Sequence, residues 1–214
     1  MTIAGQKSGR IFYGWWVVLA AGVGLALHVG PIIGVTFGVF FKPLSQEFGW
    51  SRGEVSLAFS LSTLVLGGAV LVIGRLVDRF GARKVILPSV VLFGLVVFSL
   101  SSLSASLWHF YVLYLVLGIV GSGTTPVAYA QIISHWFDKR RGVALALAMA
   151  GGTVGALLMA PVAQALITAV GWRQAYVVLG LLTITCTLPV VGLLRANVRR
   201  FASQRHGCIV TECQ

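Results

Sequence analysis

Five stretches of this chain carry no aspartate, glutamate, lysine or arginine: residues 11–41, 55–74, 85–137, 142–172 and 174–194. A helix rises about 1.5 Å per residue and a bilayer core is about 30 Å thick, so about 20 apolar residues cross it. The third stretch is long enough for two crossings. It divides at the serine-rich segment 101–106, whose hydroxyls suit a short wet turn ahead of an interfacial Trp108. The expected fold class is all-α, a six-helix transmembrane bundle over residues 13–195. Its spans fall near 15–40, 55–73, 85–100, 111–134, 142–170 and 175–194. Residues 1–12 and 196–214 are expected as a cytoplasmic N-terminus and a disordered cytoplasmic tail. A soluble fold is excluded by charge alone, since charged residues make up 10% of the chain against about 25% in a globular domain.

The formal net charge of +11 invites a nucleic-acid reading, but the positions of the charges argue against it. Thirteen of the sixteen lysines and arginines flank the spans on one side, in the N-terminus, the loops after spans 2 and 4, and the tail. The alternate loops hold Lys42, Arg52 and Arg173. Such asymmetry places the basic side in the cytoplasm, and a bacterial inner membrane is the expected location. The first apolar stretch is too long for a signal-peptide core and lacks a small-x-small cleavage site, so it reads as a span. Cys186 is expected as a buried apolar thiol in span 6, and Cys208 and Cys213 lie in the tail, where disulfides rarely persist.

Polar side chains inside the spans are few, and each is a site candidate. His28 lies in the middle of span 1, one turn before Gly30-Pro31-Ile32-Ile33-Gly34, which should kink or unwind that span. His28, Thr36, Tyr129 and Gln164 are the candidates to line a substrate cavity, although helical phase is not set by one sequence. Gly151 and Gly155 form a small-xxx-small pair in span 5, suited first to close helix packing. No acidic residue falls within the expected spans, which excludes a carboxylate proton relay in this part of the chain. No nucleotide-binding loop, metal-ligand cluster or nucleophile–base pair is present at recognisable spacing, so the reading is not an enzyme and has no cofactor or metal. Six helices are compatible with a 3+3 inverted repeat, but the residues do not display one.

The strongest local signal is Gly74-Arg75-Leu76-Val77-Asp78-Arg79-Phe80-Gly81-Ala82-Arg83-Lys84, read as a tight charged turn between spans 2 and 3. There Asp78 can pair with Arg79 or Arg83, or accept from a helix N-terminus. This stretch resembles the loop 2–3 signature of the major facilitator superfamily, with Ala82 replacing one basic residue. The segment Asp138-Lys139-Arg140-Arg141-Gly142, followed by Gly151 and Gly155, resembles the helix 5 entry of monocarboxylate porters and their relatives around oxalate:formate antiporters. Tyr13-Gly14-Trp15-Trp16, Phe40-Phe41-Lys42-Pro43 and Phe48-Gly49-Trp50-Ser51-Arg52 are similar to the same group.

The resemblance implies the N-terminal six-helix half of a secondary transporter for a small mono- or dicarboxylate, working by alternating access between spans 1, 2, 4 and 5 and a matching half. It implies a cytoplasmic gate role for Gly74, Asp78, Arg79, Gly81 and Arg83, and a helix 5 entry formed by Lys139, Arg140, Arg141, Gly151 and Gly155. The implied partners are the bilayer, a small organic anion, a coupled proton or counter-anion, and a second six-helix half or a second copy of this chain. Three departures stand out. Animal monocarboxylate porters carry a lysine near Val35, while drug antiporters carry an arginine near Leu117 and a proline where Ala156 stands. The tail after Arg200 fits no transporter pattern, so a truncated or frameshifted half that self-associates without transporting is the competing expectation.

Overall fold

In the computed structural model, residues 14–104, 106–134 and 141–187 are described. The expected N-terminal segment 1–12, the tail 196–214 and the basic residues Lys139 and Arg140 lie outside them. Among the described residues every regular element is helical: α1 (Gly14–Ala26), a π-helical segment (Gly30–Val35), α2 (Phe37–Phe48), α3 (Arg52–Phe80), α4 (Ala82–Ser99), α5 (Leu107–Gly121), α6 (Pro126–Ser134) and α7 (Arg141–Val170). Residues 172–187 form a further helix, α8. Among the described residues, five helical stretches are long and apolar enough to cross a membrane: Trp15–Val35, Arg52–Phe80, Lys84–Ser102, Leu107–Gln131 and Arg141–Val170.

The helices run past the charge-free blocks, because their ends are capped by polar residues that the hydropathy reading assigned to loops. Ser51 and Glu54 form a reciprocal capping box that starts α3, each side chain satisfying a backbone N–H that helix geometry leaves unpaired. Gly81 and Gly171 take positive φ of 85° each, a conformation that costs glycine little, so α3 passes to α4 and α7 to α8 through a single residue. The charged turn expected at 74–84 is therefore mostly helix, with Gly81 alone outside it. The longer helices also correct the reading that acidic residues lie outside them: Glu47 is in α2, and Glu54 and Asp78 are in α3. All three sit near helix ends.

Small residues set the packing. A Cβ on Gly151 would lie 2.6 Å from the Gly22 Cα, and one on Gly155 would lie 2.5 Å from the Ala26 Cα, so α7 crosses α1 backbone to backbone. The Gly118 position is equally closed by the Ser62 backbone, joining α5 to α3, and a Cβ on Gly180 would lie 2.9 Å from the Gly94 carbonyl oxygen, joining α8 to α4. Without hydrophobic drive inside lipid, such approach is what holds helices together. The crossings pair span 1 with 5, 2 with 4 and 3 with 6. Exchanging the first three spans for the last three maps that set of pairs onto itself, and spans 1 and 4 run in opposite directions. Such a pairing is compatible with two inverted three-helix repeats.

An aromatic cluster closes the end where α2 meets α8. Phe40 stacks on Tyr176 with centroids 3.9 Å apart, and Phe48 stacks on Trp50 at 4.6 Å. Glu47 ties the same end together, accepting hydrogen bonds from the Trp172 indole and, at 2.8 Å, from Arg173. Cys186, expected to be buried, is exposed on α8.

Candidate functional site

Span 1 breaks where Pro31 and two glycines interrupt its ladder. After α1 ends at Ala26 the chain makes a turn through Leu27 and His28, then a wide π-helical turn from Gly30 to Val35. Proline lacks the N–H an α-helix needs, and freed backbone groups at membrane depth must find other partners. They find them locally. His28 Nδ1 is 2.5 Å from the Leu25 carbonyl oxygen, Ile32 N–H donates to His28 O at 3.2 Å, and Thr36 Oγ1 donates to Ile32 O at 2.5 Å.

Span 4 breaks at the matching depth. A 3₁₀ turn at Ser122–Thr124 separates α5 from α6. Here hydroxyls supply the missing partners: Ser122 Oγ donates to Ile119 O, Thr124 Oγ1 to Gly121 O at 2.8 Å, and Thr125 Oγ1 to Ser122 O at 2.7 Å. The two breaks touch, since Val29 N–H donates to Thr124 Oγ1 at 3.3 Å. A Cβ on Gly121 would lie 2.8 Å from Val29 Cγ2, so glycine there is what lets the broken segments meet.

Beside this junction lies an open cavity of about 430 Å³, lined by Leu25, His28, Gly30, Pro31, Gly34, Val35, Pro126, Met149, Gly152, Thr153 and Ala156. Three broken or small-residue segments, from spans 1, 4 and 5, make its wall. Its polar side chains are His28 and Thr153; among the described residues no charged side chain lines it. With Nδ1 turned back to Leu25 O, Nε2 lies on the opposite edge of the ring, beside Gly30. A Cβ on Gly30 would come within 2.7 Å of Nε2.

The four candidate cavity residues therefore part company. His28 lines the cavity. Thr36 is buried and hydrogen-bonded within span 1, and Tyr129 is buried with its ring against Gly24. The Tyr129 hydroxyl has no hydrogen-bond partner. Gln164 is exposed on α7, away from the cavity lining. Thr153 and Gly152 were not singled out from the sequence. Their signal was the Gly151–Gly155 pair: once those two face α1, positions 152, 153 and 156 occupy the adjoining face of the helix. Val35 and Ala156, two of the three points of departure from the resembled porters, both line the cavity. Leu117, the third, is fully buried, in a core that could not take an arginine without leaving its charge unpaired.

At the opposite end of α3, Asp78 Oδ1 accepts a 2.7 Å hydrogen bond from Gln131 Nε2 on α6. Arg79 lies over the Phe80 ring at 5.6 Å instead of turning to Asp78. Gly74 and Arg79 are on α3, Gly81 is the turn residue, and the Arg83 side chain lies outside the described residues. Arg141 is exposed at the start of α7.

The model of the Major Facilitator Superfamily matches residues 23–206. Human monocarboxylate transporter 11 is 33% identical over 187 residues, covering 85% of this chain and 38% of the relative. An uncharacterized MFS-type transporter of Bacillus subtilis, YcxA, is 30% identical over 161 residues, covering 73% and 38% respectively. Bovine monocarboxylate transporter 1 is 30% identical over 174 residues, covering 81% and 34%. The chain spans little more than a third of the length of these relatives. With a family match over most of its residues, on a bundle of membrane-length helices, the chain belongs to the major facilitator superfamily.

Proposed function

We propose that this bundle forms one wall of a transport pathway for a small organic anion, a mono- or dicarboxylate, moved by alternating access against a second six-helix bundle. The observation that carries the reading is the meeting of two broken spans beside a cavity lined by His28, Thr153 and otherwise apolar residues. Discontinuous helices at membrane depth are the usual means by which transporters expose backbone and polar groups to a solute. The names of the relatives, monocarboxylate transporters among them, favour a carboxylate. The second bundle is the rest of a longer polypeptide, a relative, or another copy of this chain.

Asp78 and Gln131 belong, in this reading, to the gate at the basic, cytoplasmic end, where both termini lie, in a bacterial inner membrane. Uptake of labelled pyruvate and oxalate into vesicles carrying the chain, alone and co-expressed with a related C-terminal half, tests the proposal. Saturable flux in either case supports it. Binding and flux absent from both would favour the second reading, a self-associating bundle that does not transport. That reading has its own support in α3 and α7, whose outer faces stay largely exposed along their membrane-length stretches.

A further inference from the structure

We propose that the basic end of α3 and α4 binds the phosphate headgroup of an anionic phospholipid. The inference needs only a membrane-embedded bundle, so it stands or falls apart from the transported solute. Arg75 and Arg79 are one turn apart on α3, and Lys84 follows on α4 just past the turn residue Gly81; all three are exposed. Such neighbours repel one another, and no carboxylate among the described residues pairs with them. Glu47 and Glu54 lie at the other end of the bundle, where Glu47 makes its ion pair with Arg173. Asp78 sits among the cations but gives Oδ1 to Gln131.

These cations border an apolar strip. Val72, Leu76 and Phe80 recur along α3 at helical spacing and are 55%, 40% and 53% exposed. The strip ends the membrane-length stretch Arg52–Phe80, so it lies where that helix leaves the bilayer. Arg79 holds its guanidinium over the Phe80 ring at 5.6 Å, which keeps charge and ring side by side. A ring among the upper acyl chains with a cation at the phosphate level is how amphipathic side chains anchor at an interface. Two guanidiniums offer forked N–H donors to phosphate oxygens, and Lys84 adds a point charge. A free phosphate would use the cations alone. The chains of a phospholipid would also cover Val72, Leu76 and Phe80, so charge and apolar surface in one patch favour the lipid over a soluble anion.

The test titrates the purified chain in detergent micelles with phosphatidylglycerol or phosphatidylcholine and counts bound lipids by native mass spectrometry. Phosphatidylglycerol should bind more tightly. The double variant Arg75→Gln/Arg79→Gln should weaken it about thirtyfold, near fivefold for each arginine, and leave phosphatidylcholine unchanged. Arg75→Lys/Arg79→Lys keeps the charge and should keep most of the affinity, which separates loss of charge from loss of fold. Arg52→Gln, exposed at the other end of α3, should change nothing, and Phe80→Ala should weaken phosphatidylglycerol. Equal affinity for the two lipids, or undiminished binding in Arg75→Gln/Arg79→Gln, overturns the inference. Displacement of phosphatidylglycerol by millimolar inorganic phosphate, with Phe80→Ala binding like the parent chain, overturns it in favour of a free-anion site. Dimers that expel the bound lipid overturn it in favour of a second copy covering the strip.

Discussion

Gly151→Ala adds one methyl group at the point where α7 crosses α1, and the structure gives the size of the insult. The new Cβ would lie 2.5 Å from Gly22 O, 2.6 Å from its Cα and 2.7 Å from its carbonyl carbon. All three are backbone atoms, so no side chain can rotate away. Ordinary contact begins near 3.4 Å, which obliges α1 to retreat by about 0.9 Å, a gap that forfeits between a quarter and a half of each neighbouring contact's dispersion energy. Overpacking of this kind costs about 1–3 kcal/mol. The same substitution at Gly38, where nothing lies within 4 Å of the added atom, is the control. Equilibrium unfolding in mixed micelles, read by tryptophan fluorescence, should put Gly151→Ala at least about 1 kcal/mol below Gly38→Ala. Equal stability of the two would refute the backbone-contact account of the α1–α7 crossing.

Tyr129→Phe removes a buried hydroxyl that has no partner. It should leave stability unchanged or raise it, and a loss above about 1 kcal/mol in the same assay would reveal a hydrogen bond to that oxygen. Glu47 is held below the usual carboxylate range, first by the hydrogen bond from Arg173 and then by that from Trp172. A depressed folded-state pKa means the tie between α2 and α8 is fully present above about pH 4.3 and is lost as pH falls through the lowered value. Trp172 emission should therefore hold steady down to that pH and change only below it, while in Glu47→Gln it should be flat throughout. The Glu47 and Arg173 side chains are 43% and 47% exposed, so breaking the pair should cost under about 1 kcal/mol. Finally, the basic asymmetry predicts that a reporter fused after Gln214 is cytoplasmic and one placed near Ser104 is outside; the reverse pattern would invert the proposed orientation.

The bundle was legible in the sequence because lipid demands long charge-free runs, and those runs survive any detail of packing. The break in span 1 was legible too, since Pro31 between Gly30 and Gly34 acts through its own backbone. Helix ends were less so. Ser51-x-x-Glu54 is a capping signature that hydropathy counted as loop, and Gly81 needed no loop at all. The cavity was harder still. His28 could be picked as a polar residue at depth, but the break in span 4 is held by the serine and threonine hydroxyls of 122–125, which look like ordinary small residues until the chain is folded. Thr124 caps Val29 across 95 positions of sequence, a pairing that no local pattern encodes. Tyr129 shows the converse failure: a polar tip suggested a cavity, while the lack of a side chain on Gly24 gave its ring a slot in the core.

The glycines around the junction differ in how much change they can absorb, and this separates evolvability of the pocket from survival of the fold. Gly151 and Gly155 admit no added atom, whereas Gly152, one residue away, would meet its nearest neighbour at 3.5 Å, and Gly34 would meet nothing within 4 Å. Both permissive positions line the cavity. Descendants of this sequence can therefore trim the available volume a methyl group at a time, at 34 or 152, without loosening the α1–α7 seam. Cavity volume becomes a trait that drifts freely, while the helix crossing beside it stays under steric veto.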